Sequence, residues 1–205
     1  MLSHELFQGG DKEAYNMSTD IFVVDTPFLI AKLEEEAAKE EPRKLRYVLR
    51  DLAVAENAFA YEYTGYLSNI HSVKAYFDAN LDMLESHKFY KLFAPNQKVY
   101  TKVKNEEPTY YSDSSEVKLS QFASGSIVRG KVENSVISRN VDLSEGSSVS
   151  HSILFPRVKV AKGATVEYAI VDKGVEIAEG VTIRGTENNP VVIKKGSVVT
   201  EDIVR

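Results

Sequence analysis

The chain has 205 residues, 43% hydrophobic and 27% charged, with 11 Gly, 6 Pro and a formal charge of −5. That is globular composition, long enough for one or two domains, and its acidic balance gives no electrostatic draw towards nucleic acid or an anionic membrane surface. No apolar run reaches the roughly 18 residues of a membrane span, Met1 to Gly10 lacks the order of a secretory leader, and the absence of cysteine excludes disulfides and thiol nucleophiles, so the chain reads as cytoplasmic.

Ile21 to Asp25 is a short apolar run that reads as a buried strand, and Asp25-Thr26-Pro27 then opens a helix. Leu29, Ile30 and Leu33 form the expected buried stripe of that helix, with Glu34, Glu35, Glu36, Lys39 and Glu40 on its solvated face. A second helix is expected from Arg43 to Glu56, an alternating strand from Phe59 to Tyr63, and a third helix from Ser72 to Ser86, capped by Ser72 and patterned by Val73, Tyr76, Phe77, Leu81 and Leu84. Polar residues around Pro108 suggest an extended connector. The organisation expected is therefore an α/β domain over 1–99, a connector over 100–116 and a second domain over 117–205.

The second domain repeats every seventeen residues. Gly146, Gly163 and Gly180 are in register, as are Val141, Val158 and Val175, Leu143, Val160 and Ile177, and Val149, Val166 and Ile183. With Ile137, Leu154 and Val171, the inward positions return in steps of 6, 6 and 5, which suits neither a helix nor a sandwich but fits three short strands and three corners per turn. This is the hexapeptide parallel β-helix pattern, a fold known in its left-handed form. Val132 belongs to an earlier coil, Ile193, Val199 and Val204 to the last, and Gly185 to Pro190 makes a protruding turn. Four to five coils follow, with Val136 and Ile153 facing outward.

Three motifs in this half suggest chemistry. Gly125 to Lys131 has P-loop spacing, but Val132 stands where a magnesium-binding hydroxyl belongs and no helix follows, so coincidence is the better reading. His151 is a candidate general base, as in hexapeptide acyltransferases, set against an ordinary surface histidine. Arg157, Lys159 and Lys173 lie on adjacent coils and are a candidate anion or effector site, set against a solvated charged edge.

The segments Tyr15 to Val24, Tyr63 to Val73 and Ala79 to Leu84, followed by the β-helix, resemble the C-terminal half of the glucose-1-phosphate adenylyltransferase (ADP-glucose pyrophosphorylase) family, and most of all its GlgD-type regulatory subunits. The resemblance implies a remnant of a nucleotidyltransferase domain ahead of a left-handed β-helix, and a role in glycogen synthesis. It places Ser18 at the sugar-phosphate contact and Asn69 where catalytic members carry a magnesium-binding aspartate; a neutral amide is a poor magnesium ligand. The family's glycine-rich nucleotide loop has no counterpart here. The chain alone is accordingly expected to be inactive and without a resident metal or cofactor, with magnesium and ATP bound only alongside a complete catalytic subunit. Expected partners are further copies of itself and a GlgC-type catalytic chain. An acyltransferase acting through His151, and a scaffold unrelated to sugar nucleotides, are the alternative readings.

Overall fold

The computed structural model describes residues 18–55, 58–93, 98–102 and 104–205. Tyr15 to Met17 and Glu56, used in the sequence reading, lie outside them. The chain forms two compact units that divide between Thr64 and Gly65.

The first unit holds helix α1 (Thr26–Ala37) and helix α2 (Leu45–Ala55). Asp25 caps α1, its carboxylate accepting the Phe28 N–H at 3.0 Å, and Pro27 sits in the first turn, where it removes no helical hydrogen bond. Two expectations change. Ile30 is exposed, whereas Glu36, expected on the solvated face, is 5% exposed. Arg43 wraps around it: Nε and Nη2 donate to the carboxylate at 2.9 and 3.0 Å and the Arg43 backbone N–H donates at 3.0 Å, with Lys39 Nζ as a further donor. These bonds, those of the guanidinium first, hold the Glu36 carboxyl far below the usual carboxylate range. Ile21 to Asp25 and Phe59 to Tyr63 join no ladder, and Ile21, Val23, Phe59 and Tyr61 are exposed. A strand needs a neighbour to take its N–H and C=O groups, and the described residues supply none.

The second unit begins with three short helical pieces where one helix was expected: α3 (Val73–Leu81), a 3₁₀ turn (Asp82–Leu84) and α4 (Ser86–Leu92). Ser72 caps α3 as expected, its Oγ accepting the Ala75 N–H at 3.1 Å. The solenoid follows, about six parallel turns over 110–204. Its first strand, Tyr110–Tyr111, lies within the 100–116 segment read as connector. Six strands from Tyr110–Tyr111 to Val198–Val199 make one face, six from Glu116–Lys118 to Ile203–Val204 the second, and five from Gln121–Phe122 to Val191–Ile193 the third.

Nearly all the expected inward residues, Leu143, Leu154, Val160, Val166 and Ile183 among them, fill the central stack. The exception is Val204, which is exposed while Ile203 packs inward against the core. The coil count rises to six for a related reason. Ile127 pairs with Asp142 and Lys131 with Ser148, so the Val128 to Lys131 corner is two residues shorter than the one stacked on it, which takes the early coils out of the seventeen-residue register. Gly130 makes that corner possible: a Cβ there would come within 2.4 Å of the Ser147 carbonyl oxygen. The P-loop-like spacing is thus a tight solenoid corner, with Lys131 in a strand and ion-paired to Glu116.

Candidate functional site

Each of the solenoid's three corner lines solves the same problem, a turn through the left-handed region, with different residues. Gly146, Gly163 and Gly180 form one line. Asn140, Arg157 and Gly174 form another. The third carries Leu119, Asn134, His151 and Tyr168, with φ between 44° and 47°. Bulky side chains there are sterically costly, and the surrounding coil holds them in place. Next to this line runs a ladder of serines: Ser135 and Ser152, both fully buried, accept the backbone N–H of Ser152 and Ala169, each at 3.1 Å, while donating to the carbonyls of Glu133 and Ser150 at 2.7 Å.

Helix α3 covers the third face beside this corner. Ile153 and Ile170 point outward from the coil, yet they are buried against Phe77, which is 1% exposed. Gln121 Nε2 also donates to the Met83 carbonyl at 2.6 Å, tying the 3₁₀ turn to the solenoid. Ile153 is therefore an internal contact rather than the free outer surface its phase implied.

Between the helical pieces and the corner lies a cavity of about 820 Å³. Phe77, Leu81 and Leu84 line the helical wall, and His151 and Tyr168 the solenoid wall. The His151 and Tyr168 rings stack with centroids 4.7 Å apart and planes 19° apart. Around them stand Asp78, Asp82, Glu85 and, in the protruding turn, Glu187. Lys74 donates to both Asp78 oxygens at 2.6 Å, and Lys88 bridges Asp82 and Glu85 at 2.6 and 2.7 Å. Tyr66 donates to Asp82 at 3.0 Å, and burial first, then this carboxylate, raises its phenol above the ordinary value.

The residues singled out from sequence do not converge on this cavity, except His151. Its Nδ1 is buried with no hydrogen-bond partner, so the imidazole lacks the orienting acceptor that a general base normally has. Ser18 sits in a local turn, its hydroxyl accepting the Asp20 N–H at 3.1 Å. Asn69, in the same unit as the cavity, is exposed in the loop ahead of α3, and its backbone carbonyl accepts from the His71 N–H at 3.1 Å. Arg157 and Lys173 stand exposed at one corner of adjacent coils, while Lys159 on the neighbouring face is ion-paired to Glu176 at 2.7 Å. The cavity was illegible in the sequence because it forms only where α3 docks. The one available signal was the apolar outward column Val136, Ile153 and Ile170.

The fold defines a hexapeptide-repeat β-helix protein with a helical segment docked on one face, and the GlmU-like C-terminal hexapeptide family model matches residues 104–204. The glycogen biosynthesis protein GlgD of Bacillus subtilis (strain 168) is 34% identical over 197 residues, 96% of this chain and 55% of that protein. GlgD of Geobacillus stearothermophilus is 53% identical over 127 residues, 62% of this chain and 37% of that protein. The glucose-1-phosphate adenylyltransferase of Mycoplasma mobile is 31% identical over 105 residues, 51% of this chain and 27% of that enzyme. The chain is a GlgD-type relative of the glucose-1-phosphate adenylyltransferases, and it spans about half the length of the B. subtilis relative. No helix among the described residues is long and apolar enough to cross a membrane.

Proposed function

We propose that this chain serves glycogen biosynthesis as part of a GlgD-type regulatory subunit, acting through association with a catalytic glucose-1-phosphate adenylyltransferase chain and not through chemistry of its own. The observation that carries this reading is the 34% identity to a GlgD over 96% of the chain, helical segment and solenoid together. Asn69, an amide at the position implied for a magnesium carboxylate, agrees with it, because a neutral ligand neutralises little of the charge on a transferring phosphate. The stacked coils offer a rigid body whose outermost strands, among the described residues, pair on one side only, for contact with the catalytic chain and with further copies.

The test mixes the purified chain with ATP, glucose 1-phosphate and magnesium, alone and with a GlgC-type catalytic chain. The expected outcome is no pyrophosphate release by the chain alone, co-elution with the catalytic chain, and a changed response of that chain's activity. Magnesium-dependent pyrophosphate release by the isolated chain would overturn the non-catalytic reading, and failure of a folded sample to co-elute would overturn the association.

A further inference from the structure

The two walls of the cavity beside α3 select the same kind of ligand. On the solenoid side, the corner position one coil beyond Tyr168 is Gly185, where a Cβ would come within 2.5 Å of the Tyr168 carbonyl oxygen, so no side chain continues the ring stack. Tyr168 therefore ends the stack and lines the cavity. On the other side Asp78, Asp82 and Glu85 already engage the ammonium groups of Lys74 and Lys88, with His87 Nδ1 also 3.6 Å from Glu85, and Glu187 adds a fourth carboxylate. Glu187 is exposed at the cavity margin and has no ion-pair partner among the described residues. Such a site repels phosphates and carboxylates, and it favours a flat cation.

We propose that this cavity binds a guanidinium group, stacked on the Tyr168 ring and hydrogen-bonded to the Glu187 carboxylate. A guanidinium is planar, stays charged at any working pH, stacks on aromatic faces and presents a fork of N–H donors that matches a carboxylate; an ammonium offers neither the plane nor the fork. The volume, about 820 Å³, exceeds what the group itself needs and admits a whole arginine side chain with flanking atoms. The ligand is thus an arginine presented by a partner protein or a free guanidino compound. This inference does not depend on the role in glycogen biosynthesis.

The experiment titrates the full chain with L-argininamide and, separately, with L-lysinamide, which carries the same charge, and follows ligand and tyrosine ring signals by NMR. Argininamide is expected to bind saturably in the range of about 1 mM, with its side-chain methylene signals moved upfield by the ring, and lysinamide at least about fivefold more weakly. Tyr168→Asn, which keeps a residue type already used at this corner by Asn134, is expected to weaken argininamide about tenfold with an unchanged circular dichroism spectrum, and Glu187→Gln several-fold. A blocked Gly-Arg-Gly peptide that binds at least as tightly as argininamide assigns the guanidinium to a partner protein; loss of binding in the peptide assigns it to a free compound. Absence of saturation, equal binding of lysinamide, tighter binding of neutral adenosine, or insensitivity to both substitutions in folded protein would overturn the proposal.

Discussion

At the scale of single residues, small polar groups buried inside the coil fix its geometry as firmly as the aliphatic stack does. The Ser152 hydroxyl satisfies the Ala169 N–H and caps its own strand at the Ser150 carbonyl. Replacing it with alanine leaves a buried N–H without a partner, a loss of about 1–3 kcal/mol that should appear as a lower denaturant midpoint with an unchanged slope. Ser120, the half-buried start of the same ladder, should cost less on the same substitution. Glu36 makes the corresponding point for charge. Its folded carboxyl lies far below its ordinary value of 4.5, so its stabilising contribution is complete above that value and is lost as pH falls below it. Acid titration of the α1–α2 pair should therefore show helix loss below about pH 4.5 in the native chain, and Glu36→Gln should be less stable at neutral pH with a flatter acid limb.

At the scale of elements, the sequence distinguished inward from outward positions on the solenoid but could not say what covers the outward ones. Ile153 and Leu154 are neighbours with opposite roles: Leu154 lies in the central stack, and Ile153 lies under Phe77 of α3. Leu154→Ala should lower the stability of the whole solenoid by about 2–5 kcal/mol, because a cavity in one coil is felt by its neighbours. Ile153→Lys should instead lift α3 away, seen as faster amide exchange over residues 73–92 with the coil amides still protected. Equal loss of protection in coil and helix would place Ile153 in the central stack. The contrast shows which parts of the fold were legible. A seventeen-residue period reports stacking directly, since each coil repeats its environment, whereas the shortened corner at Gly130 and the step from Val199 to Ile203 break that period and carry no pattern of their own. The single helix expected from Ser72 to Ser86 fails similarly, because its apolar spacing runs on through the 3₁₀ turn at Asp82–Leu84. His151 was visible as the one histidine of the repeat, in phase with Tyr168, but the cavity beside the pair depends on a helix more than fifty residues away in the chain.

At the scale of the whole molecule, the coil built from Val191–Ile193, Val198–Val199 and Ile203–Val204 has, among the described residues, a neighbouring coil on one side only. Val192, Val198 and Val204 ring the final coil and are all exposed, each on a strand that closes its sheet. Open strand edges flanked by aliphatic side chains favour pairing with another chain, and a two-fold arrangement lets one coil end serve both copies. Ile153 is already covered by Phe77 of α3, so a second copy is expected at this coil and not on the Ile153 face. The expected outcome is sedimentation above the 22.9 kDa monomer mass at tens of micromolar, with Val198→Lys shifting the distribution towards monomer. Because Val198 is 68% exposed, the same substitution should leave the unfolding free energy within about 0.5 kcal/mol of the native protein. A Val198→Lys variant that unfolds more readily would show that this side chain is an internal support, and a native chain that sediments only as monomer would remove self-association from the account.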